Sequence, residues 1–232
     1  MLHADLSLHT LLTAMRNVGC GDPHPILAGG LRYVPPSAAK RLGREAFEEL
    51  SEYGFTQGDG FTPEFEDVLH LIDNPAYSFY AYARDLTGQV GILSTRTVTV
   101  VCRGDRVTLG SHDTHPADAL VAHLPEYPAA NIKPFTLSQE DFKGPQDVSD
   151  VFDDAPARSR EAEELDSLFQ RPHQGLGQLY ASDNADGKAD DSTVSYLDLD
   201  EGRVGIALAD GYISVMPGEP RRLSHKLKAA TP

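Results

Sequence analysis

Apolar and polar positions alternate in two short stretches of this chain that are close to copies of each other. Residues 97–109 and 203–215 each divide into a strand, a two-residue turn and a second strand. Their apolar residues fall in register: Val98 with Val204, Val100 with Ile206, Cys102 with Leu208, Val107 with Ile213 and Leu109 with Val215. The turns, Gly104-Asp105 and Asp210-Gly211, hold residue types that tolerate the positive φ of tight hairpins. In such hairpins Cys102 faces Val107 and Leu208 faces Ile213, so each copy gathers its apolar set on one face.

The flanks correspond as well. Strand patterns over 77–84 and 89–95 precede the first hairpin, and patterns over 175–182 and 192–198 precede the second. Ahead of each lies a helical pattern stopped by proline. The first runs through Phe65, Val68, Leu69 and Ile72 to Pro75; the second runs through Ala162, Leu165, Leu168 and Phe169 to Pro172. Thr62 is a natural cap for the first, with Pro63 at the opening position and Glu64 and Glu66 at the positive end. A proline opens a helix after each hairpin, with Leu120, Val121 and Leu124 behind Pro116 and Leu223 and Leu227 behind Pro220.

Two more helices are expected near the start. Residues 5–16 carry Leu6, Leu8, Leu11, Leu12 and Met15, and residues 36–53 carry Leu42, Ala46, Phe47 and Leu50, with Ser37 as cap. The second copy is longer by the polar segment 184–191, read as a loop. These elements predict one α+β domain over 1–232, built from a duplicated unit with a first half at 37–138, a second at 159–230 and an acidic linker at 139–158. A single central antiparallel sheet with pseudo-two-fold symmetry, flanked by helices, fits best, because each half alone is small and its edge strands need covering.

Composition narrows the function. The chain has 232 residues, 40% of them hydrophobic, and a formal net charge of −15. That charge excludes nucleic acid and anionic membranes as partners, since both require clustered Lys and Arg, and it favours a monomer or weak dimer. Two cysteines, Cys20 and Cys102, are too few for a disulfide framework. The start, Met-Leu-His-Ala-Asp-Leu, lacks the basic and apolar segments of a signal peptide, and no apolar run reaches membrane-spanning length. A cytoplasmic protein is expected.

The search for catalytic groups returns little. His112, Asp113 and His115 offer two imidazoles and a carboxylate in four residues, the basis for reading the chain as a small metal-dependent hydrolase; a zinc site needs further ligands. Gly175 and Gly177 follow a helix and enter a strand, the reverse of a dinucleotide phosphate turn. No phosphate-binding loop and no Gly-x-Ser-x-Gly nucleophile elbow occurs. Asp198, Asp200 and Glu201 sit beside Arg203 at a strand end, where capping or pairing accounts for them. No cofactor is expected. A ligand-binding regulatory domain is a further reading, and it requires an enclosed apolar pocket between the halves.

Two surfaces suit a protein partner. Tyr77, Phe79, Tyr80 and Tyr82 make an aromatic strand, equally fit for packing and for recognition. In the second copy the face opposite the apolar set carries Val194, Tyr196, Arg203, Gly205, Ala207, Tyr212, Ser214 and Met216. That mixture suits either a docked partner or burial beneath a helix.

The order of these motifs resembles the EspG family, the secretion-associated chaperones of type VII (ESX) systems. The similarity runs from about residue 37 to the C-terminus: Leu71-Ile-Asp-Asn-Pro75, the hairpin from Val98 to Leu109, Leu124-Pro125, Gly175-Leu-Gly177-Gln178, and Asp198-Leu-Asp-Glu-Gly202-Arg203 in place of an Asp-Thr-x-x-Gly-Arg signature. Leu199 stands where threonine is usual, and the chain has no tryptophan. The resemblance implies a non-enzymatic cytosolic chaperone of actinobacterial type. It would bind the helical tip of a PPE protein within a PE–PPE heterodimer, keep it soluble and pass it to the secretion machine. The implied contacts are the loop Asp85–Gln89, with Asp85, Gly88 and Gln89 foremost, the sheet residues Tyr196, Arg203, Tyr212 and Ser214, and the helix at 219–230.

Overall fold

Strands β4 (Tyr77–Asp85), β5 (Gly88–Ser94), β6 (Val98–Arg103) and β7 (Arg106–Ser111) form an antiparallel meander, and β9 (His173–Asp183), β10 (Lys188–Leu199), β11 (Gly202–Ala209) and β12 (Tyr212–Pro217) form a second. The computed structural model describes residues 2–30, 35–143, 158–183 and 188–229. Both hairpin turns take the expected left-handed backbone. Gly104 has φ 59° in the first turn, and Asp210 and Gly211 have φ 52° and 77° in the second. The predicted pairs Cys102↔Val107 and Leu208↔Ile213 are formed.

The meanders join through β4 and β9, whose register places Tyr80 opposite Tyr180. Each half adds a strand to its outer side: β1 (His3–Ser7) pairs with β7, and β8 (Phe135–Ser138) pairs with β12. The result is one ten-stranded antiparallel sheet, ordered β1-β7-β6-β5-β4-β9-β10-β11-β12-β8, with its pseudo-two-fold between β4 and β9. A separate two-stranded hairpin is made by β2 (Thr56–Gln57) and β3 (Gly60–Phe61).

The helices are α1 (Leu8–Asn17), a 3-10 helix at Pro25–Gly30, α2 (Pro36–Glu52), α3 (Pro63–Asp73), α4 (Pro116–Ala122), α5 (Gln139–Lys143), α6 (Arg160–Gln170) and α7 (Pro220–Ala229). Thr62 and Ser159 cap α3 and α6, each accepting a backbone N–H three residues on.

Several expectations need correction. Residues 5–16 are not all helix: β1 runs to Ser7, which then caps α1 by accepting from Thr10 N. Ser37 lies inside α2, whose cap position is Pro35, with no side-chain hydrogen bond. Residues 139–143 of the expected linker are helical, and 144–157 lie outside the described residues. Of the expected loop at 184–191, residues 188–191 belong to β10, and 184–187 lie outside the described residues.

The sheet divides the core into three parts. On one face, Val98, Val100, Cys102, Val107 and Leu109 pack against α1, α3 and the 3-10 helix. On the same face at the other end, Val204, Ile206, Ile213 and Val215 pack against α6. On the opposite face, α4 and α7 cover the centre, with Leu120, Val121, Leu223 and Leu227 against Phe79, Ala81, Leu179, Val194 and Tyr196. The outer side of β1 is closed by side chains. The Tyr53 hydroxyl accepts from Asp5 N and donates to Asp5 O, and Glu49 accepts from Ser7 N.

Candidate partner-binding valley

Between the two helical bundles the centre of the sheet is uncovered. Its floor is made by the residues of β4 and β9 that point away from α4 and α7, namely Tyr80, Tyr82, Arg84, Leu176, Gln178 and Tyr180, with Gln89 of β5 at the rim. On the same face Leu93 of β5 and Leu199 of β10 are already buried in the flanking cores. The wall beside β5 is the 3-10 helix, seated so closely that a Cβ on Gly91 would stand 3.1 Å from the Cβ of Ile26. Phe169 of α6, 49% exposed, packs with its ring centroid 6.3 Å from that of Phe142 and lines a small apolar pocket of about 250 Å³ with Leu165, Ser195, Ile206 and Leu208.

The floor is aromatic. Tyr80 and Tyr180 stack across the β4–β9 seam at 4.8 Å, and Tyr82 meets Tyr180 edge-on at 6.2 Å. Burial first, and then the neighbouring phenols, raise the pKa of Tyr80 and Tyr82, so both stay protonated and able to donate. His24 lies against Tyr80 edge-on at 4.8 Å. Toward the β4–β5 turn the floor opens into a groove of about 1100 Å³ whose lining includes Tyr82, Arg84, Thr87, Gly88, Gln89 and Leu176.

The β4–β5 turn is rigidly built. Asp85 Oδ1 accepts from Thr87 N at 2.7 Å and from Gly88 N at 3.1 Å, and Arg103 holds Oδ2 at 3.2 Å. The Thr87 hydroxyl foremost, then its N–H and Arg103, keep the Asp85 carboxyl below the usual carboxylate range. This frame presents Leu86, 82% exposed, at the tip of the hairpin. Leu86 falls inside the expected contact loop 85–89, and the exposed Tyr82 belongs to the aromatic strand read as fit for packing or for recognition.

The expected site residues separate into three groups. Gly88 and Gln89 line the groove, with Asp85 framing its rim. Tyr212 and Ser214 lie on β12, about 24 Å away by strand spacing, and their alternation places them on the face of α4 and α7. Helix α7 is on that face too. Tyr196 and Arg203 are not surface residues at all: they are 1% and 3% exposed. Of the two readings of their strand face, burial beneath a helix is the one the fold adopts.

A model of the EspG family matches residues 7–229. The chain belongs to the EspG family. Among solved structures, the type VII secretion system chaperone EspG5 of Mycobacterium tuberculosis, in complex with a PE25-PPE41 dimer, superposes with a TM-score of 0.71. The match covers 99% of this chain and 95% of that one at 13% identity, a likeness of fold. A search of curated proteins finds no match to the sequence.

The EspG-like motifs prove to be internal fittings. Arg203 Nε donates to Asp198 Oδ1 at 2.6 Å and Nη2 to Oδ2 at 2.9 Å, and the guanidinium lies 4.0 Å from the centroid of the Tyr196 ring. A second Nη2 bond reaches Pro125 O at 2.8 Å, while the Arg203 backbone bonds Pro128, Ala130 and Gly218. The Asp-x-x-x-Gly-Arg signature therefore pins the segment between α4 and β8 onto the sheet. Gly202, with φ 118°, makes room for Ala129 and Ala130, and Gly175 makes room for Asp198.

The histidines that the alternative, metal-dependent hydrolase reading requires are engaged separately. His112 has Nδ1 3.0 Å from Thr114 O and Nε2 3.1 Å from Thr95 O. His115 caps α4, its Nδ1 accepting from Ala117 N at 3.1 Å. Among the described residues no three His, Cys, Asp or Glu side chains come together as a metal site. No described helix is long and apolar enough to cross a membrane.

Proposed function

We propose that this EspG protein is a non-enzymatic cytosolic chaperone that holds the helical tip of a PPE protein, within a PE–PPE heterodimer, before type VII secretion. The observation that carries this reading is the aromatic β4–β9 seam, left uncovered between the flanking helices. Membership of the EspG family and the fold shared with a chaperone solved on a PE–PPE dimer support it. A helical tip with exposed apolar residues aggregates unless covered. A floor of phenols and amides covers it while remaining polar enough to let go.

The contact surface in this reading comprises Tyr82, Leu86 and the rim formed by Asp85, Gly88 and Gln89. Co-expression with each PE–PPE pair of the same genome tests it. One pair co-purifies with the wild-type chain, and Tyr82→Asp or Leu86→Asp abolishes capture while the melting temperature stays within about 2 °C, since exposed substitutions rarely exceed about 0.5 kcal/mol. Failure to capture any pair overturns the reading.

A further inference from the structure

The valley floor is supplied with hydrogen-bond donors that no partner among the described residues uses. Arg84 lies on the floor between Leu176 of β9 and Gln89 of β5. Unlike Arg103 beside it, which is held by Asp85, its guanidinium has no ion pair among the described residues. One alternation away on the same face, Tyr82 stands opposite Gln178, its phenol without a hydrogen bond among the described residues. The carbonyl of Gln178 is already occupied, because the Tyr180 hydroxyl donates to Oε1 at 2.7 Å. What Gln178 still offers is its amide N–H pair. The centre of the valley is thus one cation and two neutral donor groups on an aromatic bed, in a molecule whose net charge is −15.

That chemistry selects one end of a helix. The last turn of an α-helix leaves four carbonyls without partners and carries a partial negative charge, whereas the first turn presents N–H groups and a partial positive charge. Donors and a guanidinium match the first kind of end and oppose the second.

We propose that the valley recognises an electronegative helical tip: the closing carbonyls of one client helix on Tyr82 and Gln178, and a carboxylate in the turn beyond it on Arg84. This rests on the chaperone reading and names the client chemistry of the same site. Leu86 then covers an apolar side chain next to that carboxylate, and Arg84 fixes which way round the tip sits. A guanidinium–carboxylate pair is directional and charge-assisted, so it discriminates among tips of similar apolar content.

The test uses the full chain and a labelled PE–PPE heterodimer recovered by co-expression from the same genome, with affinity followed by fluorescence anisotropy. Arg84→Glu weakens binding on the order of a hundredfold and Arg84→Gln on the order of tenfold, as expected when one partner of a close charge pair is reversed or removed. Raising salt from 50 to 500 mM weakens the wild type and leaves Arg84→Gln nearly unchanged. Changing the carboxylate of the client tip to arginine restores binding to Arg84→Glu. Equal affinity of wild type and Arg84→Glu, with capture intact, overturns this inference and leaves the chaperone reading standing. Absence of capture by the wild type removes both.

Discussion

The ring of Tyr196 occupies the space that a side chain at Gly177 would need. The two residues are partners across β9 and β10, and a Cβ on Gly177 would stand 2.7 Å from Cζ and 2.9 Å from the hydroxyl oxygen of Tyr196. Gly177→Ala is therefore an overpacking change in the core, expected to destabilise the protein by about 2–3 kcal/mol and lower the melting temperature by about 4–12 °C. Scanning calorimetry checks it. Gly177→Ala combined with Tyr196→Leu should recover part of the loss, because the smaller side chain vacates the contested space.

Arg203 and Asp198 form an ion pair whose side chains are almost wholly removed from solvent. Removing one partner leaves the other charge buried, so Arg203→Met should destabilise by about 3–5 kcal/mol. Urea unfolding of the single variants and of Arg203→Met with Asp198→Leu separates the pair from its surroundings. The double variant should be more stable than either single one.

Two histidines accept backbone N–H groups through Nδ1 and so serve in the neutral form: His24 from Ile26 and His115 from Ala117. Burial lowers the pKa of both, with Lys228 adding to the effect at His115 and Asp118 opposing it. A histidine with a lowered native pKa binds fewer protons folded than unfolded. Its contribution is present above the unfolded value of about 6.5 and is lost as pH falls toward the native value. Melting temperature should decline between pH 7 and pH 5. Replacing both residues by asparagine, which also accepts a backbone N–H, should flatten that decline.

The Tyr53 hydroxyl satisfies both outward backbone groups of Asp5 on the outermost strand. Tyr53→Phe frees the Asp5 N–H to pair with another chain, while Asp5 O keeps its bond from Arg106 Nη2 at 2.7 Å. Light scattering across a concentration series should show the variant self-associating at concentrations where the wild type does not.

Much of this architecture was legible from residue order. The paired hairpins, the proline-bounded helices and the cap Thr62 are local signals, and alternation alone sorted Val98, Val100, Val204 and Val215 onto their buried faces. The outer strands were not legible. Leu6 and Leu8 fit a helical period as well as a strand's, so β1 merged into α1, and β8 spans four residues, too few for a pattern. Tyr196 and Arg203 misled because an aromatic and a cation on alternating positions resemble an anchor surface. A counter-signal lay nearby: Gly175, Gly177 and Gly205 are small because Asp198, Tyr196, Met216 and Leu223 fill the space above them. Mid-strand glycines opposite large side chains mark an interior that folds over itself, not an opening for a guest.

The seam between β4 and β9 runs through the floor of the valley, with Tyr80 contributed by one half and Tyr180 by the other. Any body seated there is gripped by both halves at once, and its affinity is thermodynamically linked to the cohesion of the seam. Occupancy raises the work needed to part the halves, and any force that parts them lowers the affinity by the same increment. The hold on a guest is thus coupled to a mechanical coordinate of the fold, the cohesion of β4 with β9, and not only to the guest's own contacts.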